Sequence, residues 1–152
     1  MTTGELSTLD RMAVMQECIT LIFRFALKND ARDADELAEM FVSDGTFRRP
    51  STPDDPVRGR EAIRQSFLNR PANKLTRHIV INPTVTVLNA TEARAESYIL
   101  LYTATISEGA KLPVAADAKH LLGAFEDLIV RDSDGIWKFK DRGGSLAMTI
   151  GG

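Results

Sequence analysis

The hydrophobic period changes once along the 152-residue chain, and that change limits the fold more than any other feature. In the first part apolar residues recur at three- and four-residue steps, as on helices; from Thr76 onward they alternate, as on half-buried strands. Met12, Met15, Ile19, Ile22 and Ala26, joined by Cys18 and Phe23, predict a long amphipathic helix over residues 8–29. Ser7 and Asp10 form a capping pair at its start, and Asp33 with Glu36 repeats the signature before a short second helix ending near Phe41. Asp44-Gly45 predicts a turn into a short strand, Thr46 to Arg49. Pro50, Pro53 and Pro56 predict an irregular loop over residues 50–58, and a third helix opens at Gly59. Four strands follow, over residues 77–87, 93–106, 119–131 and 136 to about 145. The first is bent at Pro83, whose missing N–H argues for a bulge or an edge, and Asp134-Gly135 turns the last hairpin.

Helices followed by long strands make an α+β pattern, with helices packed on one face of a curved, mostly antiparallel sheet. Such a sheet, bent around a helix, is expected to form a cone with a mouth. No repeat, low-complexity tract or composition break divides the chain, so residues 1–152 read as one domain. A domain of this size buries roughly 70% of its unfolded surface, enough for a core with a concavity in it.

Composition excludes several classes of function. The lone cysteine, Cys18, can form neither an internal disulfide nor a thiolate zinc site. The start lacks a basic region followed by an apolar stretch, and no apolar run approaches a membrane span, so a soluble cytoplasmic protein is expected. Net charge is -2, but residues 48–77 carry 8 basic and 3 acidic side chains. Those arginines lack the interleaved aromatics of a single-strand binder, so pairing with the acidic first third, or a solvated face, is favoured over nucleic acid. No glycine-rich phosphate loop precedes a helix, and the two histidines, His78 and His120, lie a strand pair apart; neither a metal nor an organic cofactor is expected.

Two residues stand out chemically. Asp30 follows the long helix, at the end where the macrodipole disfavours a negative charge. Asn29-Asp30 could merely begin a turn, but a buried carboxylate there needs a partner. His78 lies on an otherwise apolar strand centre, where a histidine is commonly a hydrogen-bonded core residue. An aspartate on one imidazole nitrogen would instead fix the tautomer and leave the other nitrogen as a general base.

The order of these pieces resembles the nuclear transport factor 2-like superfamily, and within it the SnoaL-like branch. The resemblance rests on the long first helix, Asp30 to Phe41 leading to Asp44-Gly45-Thr46-Phe47, Arg58-Gly59-Arg60-Glu61-Ala62-Ile63, Thr76-Arg77-His78, Ser97-Tyr98 and Asp134-Gly135-Ile136-Trp137-Lys138-Phe139. It implies a cone-shaped α+β barrel with an apolar pocket, commonly a homodimer or homotrimer through the sheet. Members include polyketide cyclases, ketosteroid isomerases, scytalone dehydratase and lindane dehydrochlorinase, so fold alone does not fix function.

The isomerase aspartate position, before Pro50, holds Arg49 here, and its helix tyrosine falls near Phe23 and Phe25. Similarity to the dehydratase and dehydrochlorinase group is better: it implies an Asp30–His78 base pair, Arg142 binding a substrate oxygen, and pocket walls at Phe47, Ile99, Leu101 and Phe125. Phe25 stands where the dehydrochlorinase has a lysine near the leaving halide, which puts dehalogenation in doubt. Tyr98 and Tyr102 have the opposite strand parity, as has His120 relative to Phe125, and Trp137 reads as core. The expected activity is a lyase or isomerase of dehydratase or cyclase type, acting on a hydrophobic oxygenated small molecule. The alternatives are a non-catalytic ligand-binding or dimerisation module and an accessory subunit of a ring-hydroxylating dioxygenase.

Overall fold

The computed structural model describes residues 5–152. Helix α1 spans Thr8–Asp30, and its first turn is closed by a capping box: the Ser7 hydroxyl accepts from the Asp10 amide, and the Asp10 carboxylate accepts from the Ser7 amide. Its buried stripe is Val14, Cys18, Leu21, Ile22, Phe25, Ala26 and Asn29. Met12, Met15 and Phe23 are exposed, contrary to the predicted face. Both readings share Cys18, Ile22 and Ala26, but the helix is rotated so that Phe25 and Leu21, rather than the methionines, meet the sheet. Burial pushes the Cys18 thiol up to about 12, assisted by the charges of Glu17 and Asp127, so this cysteine is a packed apolar group and no nucleophile.

Asp33 caps α2, Ala34–Glu39, by accepting from the Glu36 amide. Strand β1 begins directly after it and runs Phe41–Arg49, so Phe41 opens a strand rather than ending a helix, and Asp44-Gly45 lies within that strand. The predicted loop is a second strand, β2, Thr52–Arg58, paired antiparallel with β1. Prolines 53 and 56 are compatible with it because β2 is an edge strand with one side free of ladder hydrogen bonds. Gly59, at φ +86°, starts α3, Arg60–Leu68.

The remaining strands are β3, Lys74–Val87, β4, Glu92–Thr105, β5, His120–Arg131, and β6, Trp137–Ile150, the last longer than predicted. The sheet order is β2-β1-β6-β5-β4-β3, antiparallel throughout except between β1 and β6. β3 is the other edge, and its register shifts at Asn82-Pro83, as the proline requires. Two irregularities in the β5–β6 ladder matter for the site. One falls beside Lys140 and turns both Phe139 and Arg142 inward despite their opposite parity. The other lies at Gly123, where a Cβ would sit 2.3 Å from the Ser145 carbonyl oxygen.

Phe25 is the hub of the core, edge-on to Phe41, Phe47, Phe67, Phe125 and Phe139 with ring centroids 5.7–6.5 Å away. Trp137 is buried with them. The basic middle of the chain does pair with the acidic first third, through Arg60–Glu39 and Arg64–Asp35, although such exposed pairs add about 1 kcal/mol at most. Among the described residues no helix is long and apolar enough to cross a membrane.

Candidate active site

Between α1, α3 and the sheet lies a cavity of about 200 Å³. For scale, an apolar cavity of about 150 Å³ accommodates benzene, so one or two small rings fit here. Phe47, Phe67, Ile99, Leu101 and Phe125 supply apolar wall. Their strands present them together because Ile99 and Leu101 alternate on β4 and Phe125 pairs across from Ser97 on β5.

His78 lines the same cavity, on β3. Its Nδ1 lies 2.6 Å from Asp30 Oδ1, and its backbone amide donates to Asp30 Oδ2 at 2.9 Å. The Thr76 hydroxyl, two residues back on the same strand face, donates to Asp30 Oδ1 at 2.9 Å. Asp30 sits at the C-terminal end of α1, where the dipole costs about 0.3–1 kcal/mol. Each hydrogen bond to a charged carboxylate is worth about 1.5–3 kcal/mol, so three of them outweigh the dipole. Burial pushes the Asp30 carboxyl up, but the His78 ring and amide, the His78 charge and the Thr76 hydroxyl together hold it below its ordinary value. Asp30 is therefore an acceptor only, and Nδ1 must carry the proton of this contact. That leaves Nε2 of the neutral ring with its lone pair available.

Two residues expected at the cavity are elsewhere. Phe25 lies behind Phe47 and Phe125 as the aromatic hub and does not reach the wall. Arg142 also fails to line the cavity; it is fully buried beneath the aromatic layer, its guanidinium carbon 3.9 Å from the Phe125 centroid and 4.5 Å from those of Phe25 and Phe139. Its Nη1 donates to Asp127 Oδ2 at 2.7 Å. Burial pushes the Asp127 carboxyl up to about 6, against the pull of Arg142; beyond their shared hydrogen bond, Asp127 Oδ1 and Arg142 Nε are buried without a partner. Arg142 has the strand parity of cavity-lining Leu146 and pairs across from Asp127, so it lies on the same side of the sheet, but its guanidinium ends under Phe25, Phe125 and Phe139 against Asp127.

The cations that do line the cavity are Arg49 and Arg70, with Asn29 beside them. Arg49 Nη2 donates to the Ser66 carbonyl at 2.9 Å and its hydroxyl at 3.2 Å, and the guanidinium lies 4.9 Å from the Phe67 centroid and 5.2 Å from that of Phe47. Arg70 donates to the side-chain and main-chain oxygens of Asn29. Sequence reasoning missed both, although Arg49 shares strand parity with Phe47. Thr76 likewise shares the parity of His78. The other histidine does not line the cavity: His120 packs against Tyr102, ring centroids 4.4 Å apart and planes tilted by 48°, while Leu121 and Gly123 on the same strand face the cavity. Tyr98 is 55% exposed on the outer side of the sheet. Among the described residues no cluster of three or more histidine, cysteine, aspartate and glutamate side chains is arranged to hold a metal ion.

Comparison with known proteins agrees with this architecture. Many solved structures share the fold. A scytalone dehydratase-like protein from Novosphingobium aromaticivorans superposes with a TM-score of 0.80 at 24% identity, over 96% of this chain and 92% of that one. A type 2 hexachlorocyclohexane dehydrochlorinase gives 0.77 at 19% identity, over 95% and 93%. ActVI-ORFA from Streptomyces coelicolor gives 0.69 at 23%, over 86% and 95%. No curated protein matches the sequence. The family model of the SnoaL-like domain matches residues 10–143, and the chain belongs to the SnoaL-like domain family.

Proposed function

We propose that the protein is a lyase or isomerase of dehydratase or cyclase type, with His78 as general base on a compact hydrophobic substrate bearing a carbonyl or comparable oxygen. The observation that carries this reading is the 2.6 Å contact between His78 Nδ1 and Asp30 Oδ1 at the wall of an otherwise largely apolar cavity. Nε2 takes a proton from carbon next to the carbonyl, and the C–H electron pair moves onto the carbonyl oxygen as an enolate. Expulsion of a β-hydroxyl, protonated as it leaves, gives an alkene and water; return of the proton to another carbon gives an isomer. Asp30 orients the ring and stabilises the imidazolium formed on the way, the kind of assistance worth about 10²- to 10⁴-fold in a proton transfer. The likeness to a scytalone dehydratase-like protein and to a dehydrochlorinase supports an elimination or proton-transfer reaction.

Deuterium exchange tests the reading without knowledge of the natural substrate. In D₂O, the C2 protons of 1-tetralone or the C3 protons of 4-oxo-1,2,3,4-tetrahydro-1-naphthoic acid, each next to the ketone, should exchange faster with protein than with buffer, and the acceleration should vanish in His78→Ala. No acceleration with either ketone, or an unchanged rate in His78→Ala, would leave a ligand-binding module as the better description. The outer sheet face, with Ile79, Tyr98, Met148 and Ile150 exposed, supports assembly as a homodimer or homotrimer through the sheet, which light scattering can read directly.

A further inference from the structure

Nine of the nineteen lysines and arginines, Arg24, Lys28, Arg48, Arg60, Arg64, Lys74, Lys138, Lys140 and Arg142, have a carboxylate within 4.0 Å; of those that have none among the described residues, Arg49 and Arg70 stand apart by their place in the fold. Both line the apolar cavity. Arg49 has its Nη1 buried without a protein partner, and its neighbours are two aromatic faces and the Ser66 oxygens. Arg70 is satisfied by the uncharged Asn29 alone.

A charge held in an apolar wall without a counter-ion is costly, and proteins ordinarily pair it. Here the cost is visible in both groups: burial lowers the proton affinity of Arg49, with the charge of Arg70 adding to it, and burial followed by the charge of Arg32 does the same to Arg70. Asp30 is the one acid that acts on Arg70 in the opposite sense, and its oxygens are already engaged by His78 and Thr76. The cavity thus carries a fixed positive charge in excess of its own acid, in surroundings where an incoming anion would be poorly screened.

We infer that the cavity selects an anionic ligand: a compact hydrophobic acid whose carboxylate is taken by Arg49 and Arg70 while its carbon skeleton fills the aromatic wall and faces His78. Arg49 and Arg70 are thereby assigned as specificity-determining residues. The assignment deepens the proposed base chemistry by naming its substrate class, yet it makes a claim about binding that does not depend on proton transfer. A guanidinium beside a carboxylate offers a charge-assisted, bidentate-capable contact, and the ligand supplies the acceptor that Arg49 lacks within the chain.

The test is the affinity of 2-naphthoate against 2-naphthamide, a pair of the same shape that differs in charge, measured by calorimetry on the full chain at pH 7. The wild-type protein should bind the carboxylate at least tenfold more tightly than the amide. Arg49→Gln and Arg70→Gln should each erode that ratio, and Arg49→Lys, which keeps the charge, should retain more of it than Arg49→Gln. His78→Ala should abolish proton exchange yet still bind the carboxylate more tightly than the amide, so that failure of the base and failure of anion selection are read separately. Equal affinities in the wild type, no binding of the carboxylate, or a ratio that survives both glutamine variants in folded protein would overturn the assignment. Circular dichroism identifies any variant that has not folded, and Arg49→Lys and Arg70→Gln each report independently if Arg49→Gln is lost.

Discussion

A single histidine occupies both oxygens of a single carboxylate: the His78 ring meets Asp30 Oδ1 at 2.6 Å, and the His78 amide meets Oδ2 at 2.9 Å. The side chain and backbone of one residue therefore fix the carboxylate together, and the ring cannot rotate about its Cα–Cβ bond without giving up the shorter contact.

Asp30→Asn preserves the shape of that contact and removes its charge. Proton abstraction should fall by about 10²- to 10⁴-fold, because the imidazolium loses its stabilising partner and the amide can hold the wrong tautomer. Exchange of the tetralone C2 protons, followed by proton NMR, gives the ratio.

The same carboxylate links stability to pH. Its folded value lies below that of the unfolded chain, near 3.9, so its contribution is fully present above about pH 4 and is lost as pH falls through the folded value. Urea unfolding of the wild type and Asp30→Asn should show a stability difference that shrinks as pH falls below about 4.

Truncating one partner of the Asp127–Arg142 pair strands the other charge in the core. Asp127→Ala should cost about 3–5 kcal/mol, whereas the double replacement Asp127→Leu, Arg142→Met should cost clearly less than the single one. Denaturant midpoints of the three proteins decide it. A double variant as unstable as the single would show that the aromatic contacts of Arg142, rather than its charge, govern this site.

Gly123→Ala places a methyl carbon 2.3 Å from the Ser145 oxygen, and a backbone carbonyl in a paired strand gives way poorly. A loss of about 1–3 kcal/mol is expected. Because Gly123 and Leu146 both line the cavity, affinity for 2-naphthoate should weaken with it.

Much of this was legible in the residues themselves. Local chemistry read correctly: the Ser7–Asp10 box, the Asp33 cap and the Asp134-Gly135 turn each depend on neighbours within a few positions. Asp30 and His78 were legible because each is anomalous where it stands, an acid at a helix C-terminus and a titratable ring on an apolar strand. Arg142 was assigned from the resemblance alone, which carries no information about Asp127, the buried acid that holds its guanidinium under the aromatic layer. β2 was hidden because prolines signal loops, and only the sheet order reveals that this segment lies at an edge. Arg49 and Arg70 were hidden in a run of arginines, since an unpaired cation is recognised only once every pairing in space is known.

The His78–Asp30 contact joins the last turn of α1 to an edge strand 48 positions later. Helix docking and assembly of the proposed base are consequently one event. A partly folded chain with its secondary structure intact but α1 undocked would have no base, and reactivity should vanish on mild denaturation before helical ellipticity does.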